Sequence, residues 1–125
     1  MANSYKFKGV ALATTSETAL LTAASDETII IRSIRVTNNT SNTPTISMDV
    51  SDNSASAEYT ILKTQTLSAN TGIELIKVPI VLEASDALKV TMSSTDSTHV
   101  GISYLVITWL NLLTFQQKML MRFGR

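Results

Sequence analysis

Apolar and polar residues alternate in short runs along residues 1–109, and Ser and Thr fill much of the space between them. Alternation with a period of two is the signature of half-buried strands. Tyr5, Phe7 and Val10 open the first run, which reaches towards Leu12. Thr14, Thr15 and Ser16 read as a turn. A short apolar run around Leu20 and Leu21 comes next, and residues 23–26 turn the chain again. Further on, Ile46, Met48 and Val50 alternate with Thr45, Ser47 and Asp49. Residues 59–63, 73–75, 78–82, 88–92 and 100–109 supply the remaining strand signals, separated by polar turns. Pro79 lacks an N–H, so its segment belongs at a sheet edge or a bend. Eight or nine short strands at this spacing predict an all-β antiparallel sandwich, jelly-roll-like in organisation.

The strongest strand signal spans residues 28–38. Ile30, Ile34 and Val36 share one parity, interrupted by Arg32, and Ile29 and Ile31 share the other. Two arrangements fit this pattern. A central position or a covered outer face would let the strand hold apolar groups on both sides. A bulge near Ser33 would instead bring both sets onto one face.

The last strand raises a similar question. Val100, Ile102, Tyr104 and Val106 define one face, and Leu105, Ile107 and Trp109 lie opposite. One core cannot hold both faces, so something must cover the second. Beyond Trp109 the pattern changes. Leu112, Phe115, Met119, Leu120 and Phe123 fall on one stripe of a helix. The domain expectation is therefore a β-sandwich over residues 1–109 and an amphipathic C-terminal helical tail over 110–125. A helix of this length is marginal alone. It either folds back on its own sandwich or docks on a neighbouring subunit.

Charge sharpens this contrast. The chain has ten Lys/Arg and ten Asp/Glu, a formal net charge of zero. All ten acidic residues precede residue 110, whereas the tail holds Lys118, Arg122 and Arg125 and no acid. Only 16% of residues are charged, below the roughly 25% usual for soluble domains. A polar but weakly charged surface suits a part of an assembly. Residues 97–117 carry no formal charge when His99 is neutral. Thr98, Ser103, Thr108, Asn111 and Thr114 interrupt that span, and its apolar runs fall far below the ~20 residues of a spanning helix. No membrane segment is expected, and residues 1–8 lack the apolar centre of a secretory signal.

Candidate chemistry is sparse. There is no Cys, which excludes disulfides, thiolate catalysis and Cys-based zinc sites. The single His, His99, has no base or metal partners nearby in sequence. Asp49, Asp52 and Glu58 flank a loop with Asn53, but their spacing matches no calcium cage. Asn38 and Asn39 each begin a formal glycosylation triplet, read here as polar turn residues. Lys and Arg are scattered singly, which gives no nucleic-acid signature. The chain reads as a non-enzyme without cofactor or metal, and without a nucleic-acid or membrane partner.

Tyr5 to Val10, the strand of residues 29–39 and the segment of residues 82–90 resemble small β-sandwich structural proteins of tailed-bacteriophage virions. The resemblance covers roughly residues 5–107. It implies a virion location, with assembly in the host cytoplasm. The implied role is a capsid decoration protein stabilising the shell through oligomeric contacts. Its alternatives are a neck, tail or baseplate protein, or a carbohydrate- or receptor-binding module at a tail tip that would use loops 39–44, 52–57 and 93–98. The implied partners are further copies of the chain and other virion proteins such as the major capsid protein. Leu105, Ile107, Trp109, Leu112, Phe115, Met119, Leu120 and Phe123 are the residues expected to make protein contacts.

Overall fold

A computed structural model describes residues 2–108, which form nine antiparallel strands. These are β1 (Ala2–Leu12), β2 (Thr18–Thr22), β3 (Glu27–Asn38), β4 (Thr45–Asp52), β5 (Ala57–Thr66), β6 (Gly72–Glu74), β7 (Ile80–Leu82), β8 (Ala87–Met92) and β9 (Thr98–Thr108). The first sheet runs β1-β9-β3, with β6 and β7 sharing the far edge of β3. The second runs β2-β8-β4-β5. The chain crosses between sheets at every connection except β4 to β5 and β6 to β7, which is jelly-roll order. The expected helical tail lies outside the described residues.

The two sheets enclose one core. Leu20, Ile31, Ile34, Val36, Ile46, Leu82, Leu88 and Ile102 are fully buried there. Each large aliphatic side chain so buried contributes roughly 1.5–3 kcal/mol. The bulge is present, on a strand that is also central in its sheet. The β3–β9 register shifts between Ile31 and Ser33, a bulge at Arg32. The extra residue turns the strand by one position, so Ile29, Ile31, Ile34 and Val36 all face the core. Arg32 and Arg35 point outwards and are exposed. Ile30 remains on the outer face, half-buried, on a strand paired along both edges.

One element differs from the sequence reading. β5 is longer than the expected run of 59–63, because shifts against β4 on either side of Met48 let pairing continue into a polar stretch. Thr64 takes a left-handed conformation there, with φ 49°. Residues 78–82 lie at a sheet edge with a bend before Pro79, as expected, and the pairing along that edge is interrupted. β6 pairs with Arg35–Thr37 and β7 with Ile29–Ile31, and Pro79 sits between them. Glu74 fills that break. Its carboxylate accepts the Ile34 N–H at 2.8 Å and the Ser33 hydroxyl, while the Leu75 N–H donates to the Ile34 carbonyl at 2.8 Å. The backbone that the bulge leaves without a strand partner is thereby satisfied.

One end of the sandwich is closed by a buried amide. The Asn38 side chain is fully buried and donates to the carbonyls of Asn42, Leu67 and Ser68 at 2.7, 3.3 and 3.2 Å. Its oxygen accepts from the Thr40 N–H at 3.0 Å and the Thr40 hydroxyl at 2.7 Å. The side chain thus ties the 39–44 loop to residues 67–68.

Candidate protein-protein interface

Directly opposite residues on neighbouring strands point to the same face of a sheet. Tyr5 lies opposite Leu105, Leu105 opposite Ile30, and Ile30 opposite Val81. These four side chains form an apolar row across β1, β9, β3 and β7, on the face away from the core. Tyr5 is 75% exposed and Val81 54%, with Leu105 and Ile30 half-buried between them. Ile107 continues the patch along β9. Phe7, 70% exposed, leans over Gly101, where an added Cβ would stand 2.9 Å from the Phe7 ring. Gly101 thus leaves the space in which the ring sits. None of these six side chains belongs to the core cluster.

The outer face of the second sheet is different in kind. Ser47 opposes Thr91, and Asp49 opposes Lys89. The Lys89 ammonium lies 2.9 Å from Glu58 and 3.8 Å from Glu17. Glu58, first by hydrogen bond and then by charge, raises the Lys89 pKa above its ordinary value, with Glu17 adding to the effect. The sandwich therefore has one apolar and aromatic outer face and one covered by hydroxyls and charges.

Of the residues expected to make contacts, Leu105 and Ile107 lie on the apolar outer face. Trp109, Leu112, Phe115, Met119, Leu120 and Phe123 lie outside the described residues. Sequence reasoning did not single out Tyr5, Phe7, Ile30 or Val81 as a contact surface. No sequence signal fixed the face of Tyr5 and Phe7, because Lys6 and Lys8 hold the other parity of this run and are exposed as well.

The ionisable groups assemble differently from their spacing in sequence. Asp49 and Glu58 come together with Glu17, their carboxylate oxygens within 4.8 Å of one another. Asp52 is not part of this group. It caps its own turn, accepting from the Ser54 N–H at 3.1 Å and the Ser54 hydroxyl at 2.8 Å. Lys89 already supplies a cation to Glu17 and Glu58. His99 is exposed on the outer face of β9, in a shallow groove with Arg35, Thr37 and Phe7. No described carboxylate lines that groove, and its one side-chain hydroxyl is that of Thr37. Asn38, the first residue of a glycosylation triplet, has its amide buried and fully engaged.

Two of the three loops considered for receptor binding converge. Asn42 donates to Asp96 at 2.9 Å, and the Asn39 N–H donates to the Ser97 carbonyl at 3.0 Å. Hydrogen bonds from Ser94 and then Asn42 hold the Asp96 carboxyl below its ordinary pKa. Loop 52–57 lies at the other end of β4. The converging loops contain no aromatic residue.

No protein-family model and no curated protein sequence matches the chain. Solved structures do match. A protein of the disulfide-linked pili that form Bacillus endospore appendages aligns with a TM-score of 0.50 at 6% identity, covering 86% of this chain and 89% of its own. A chain of infectious bursal disease virus, Gx strain, aligns with a TM-score of 0.51 at 13% identity. That match covers 89% of this chain, which spans only 34% of the viral one. A chain of the cyanophage Pam1 capsid asymmetric unit aligns with a TM-score of 0.43 at 16% identity, covering 82% of this chain and 84% of its own. At these identities the likeness to the first two shows a common fold and nothing more, and the third carries no further weight.

Proposed function

We propose that this chain is a non-enzymatic structural subunit of a tailed-phage particle, acting as a capsid decoration protein that stabilises the shell through oligomeric contacts. The observation that carries this reading is the apolar row of Tyr5, Leu105, Ile30 and Val81 on an outer face. Apolar area removed from water is worth about 25 cal/mol per Å², and contiguous apolar patches on a free surface mark contact sites. The opposite outer face offers no comparable surface. Two further points support the reading. The segments of residues 5–10, 29–39 and 82–90 resemble virion β-sandwich proteins. The jelly-roll fold is shared with a pilus-forming protein and with a chain of a virus.

Antibody labelling of native particles, combined with mass spectrometry of the purified virions, tests the assignment. The expected result is label distributed over the shell. Label confined to the neck, tail or baseplate would move the subunit to that position. Purified particles without the chain would overturn the proposal.

A further inference from the structure

The apolar outer face lies beside the point where the described chain ends. Thr108 closes β9 opposite Ala2 on one side and Glu27 on the other, and Ile107 and Leu105 are the last outward residues before it. Residues 109–125 follow. We infer that the outer face of the β1-β9-β3-β7 sheet receives residues 110–125 of a second copy of this chain. The inference rests on reading the protein as an assembling subunit, and names the partner and the segment that occupies its contact face.

Three features match the tail to this face. The first is size. Sixteen residues in a helix span about 24 Å at ~1.5 Å per residue. Four neighbouring strands are about 15 Å across at ~4.8 Å per spacing. A single helix can therefore cover the row from Tyr5 to Val81. The second is chemistry. By their spacing Leu112, Phe115, Met119, Leu120 and Phe123 would share one stripe of a helix, and the row offers aromatic and aliphatic groups to meet it.

The third is charge. The tail is basic through Lys118, Arg122 and Arg125, whereas residues 1–109 carry seven Lys/Arg against ten Asp/Glu. Acidic groups gather at the end of the sheet where β9 finishes. Glu27 is opposite Thr108, Asp26 precedes it, and Glu83 follows β7. Arg32 and Arg35 stand further along β3. These acids flank the sheet end and not the row itself, where the charged neighbours of Tyr5 and Phe7 are Lys6 and Arg32, so the basic tail is matched in sign to that end alone.

The chain's own turn chemistry favours a second copy over its own face. To lie on Leu105 and Ile107, the tail would have to reverse directly after the strand that carries them. Residues 109–123 contain no Gly or Pro, and Asn111 is the one turn-favouring residue before the stripe begins. A tail that leads away from the sheet reaches a neighbour without such a reversal.

Full-length variants test the pairing by native mass spectrometry at micromolar concentration. The first blocks the face with Tyr5→Asp and Val81→Asp. Both positions are largely exposed, so the sandwich is expected to hold, as checked by circular dichroism and melting temperature. If the pair lowers the melting temperature, Tyr5→Asp alone carries the test. The second variant blocks the stripe with Phe115→Asp and Leu120→Asp. The wild-type chain is expected to form oligomers, and each variant alone to be monomeric. Mixed together, the variants are expected to form a one-to-one dimer and stop there, because one holds the only intact tail and the other the only intact face. A monomeric wild type, a variant that keeps the wild-type size, or a mixture that remains monomeric would overturn the inference. None of these results depends on where the subunit sits in a particle, so the virion labelling can fail or succeed separately.

Discussion

Asn38 does at the end of β3 what a run of backbone pairs does elsewhere. Its amide meets three carbonyls and two Thr40 donors while fully buried. Truncating it leaves the buried Leu67 carbonyl and the part-buried partners at Thr40, Asn42 and Ser68 without this amide, and an unmet buried group costs about 1–3 kcal/mol. Asn38→Ala is therefore expected to lower unfolding stability by roughly 2–4 kcal/mol in urea titration, with no glycan ever found at this position. Asp96 acts on the same end of the sandwich through charge. Hydrogen bonds from Ser94 and Asn42 depress its pKa in the folded chain. Its contribution is thus present above the unfolded carboxyl pKa of about 4 and lost as pH falls through the lower folded value. The melting temperature of Asp96→Asn is expected to lie below wild type at neutral pH, and the gap to close as the solution is acidified below about pH 4.

At the scale of elements, most strands were legible because each buries one face and declares it by alternation. β4 and β8 are the clearest cases, with Ile46, Met48, Leu88, Val90 and Met92 all in the core. β3 was only half legible. Its two apolar sets marked it as special, but whether a bulge united them depends on pairing with β9, which is more than sixty residues away. β5 and the break between β6 and β7 were less clear for a related reason. Polar residues 63–66 show no alternation, and Pro79 marks a disruption without saying what repairs it. The repair is Glu74, a neighbour made available only by folding. Glu74→Ala is expected to expose the Ile34 N–H and speed its hydrogen exchange about tenfold, while amides of β4 and β8 stay unchanged. Equal exchange at Ile34 in both proteins would remove the carboxylate from this role.

At the largest scale, the described residues form a sandwich with two unlike exteriors. One is hydroxyl-rich and charged around Lys89, and the other carries Tyr5, Phe7, Ile30, Val81, Leu105 and Ile107. The sequence pointed to Leu105 and Ile107, because β9 is apolar on both faces. It could not display the full patch, which takes residues from four strands that only register brings into line. The same limit explains why Glu17 was absent from the acidic group around Asp49 and Glu58.

The account turns on whether the apolar face is covered when copies of the chain meet. Hydroxyl-radical footprinting of the full-length protein at assembling concentration reads this directly, with Tyr59 as an internal reference. In a single copy Tyr5 is 75% exposed and Tyr59 55%, so an uncovered face makes Tyr5 the more reactive of the two. The account predicts the reverse order, with Tyr5 and Phe7 protected and Tyr59 labelled freely. Tyr5 labelled as fast as Tyr59, or faster, in the assembled protein would contradict it.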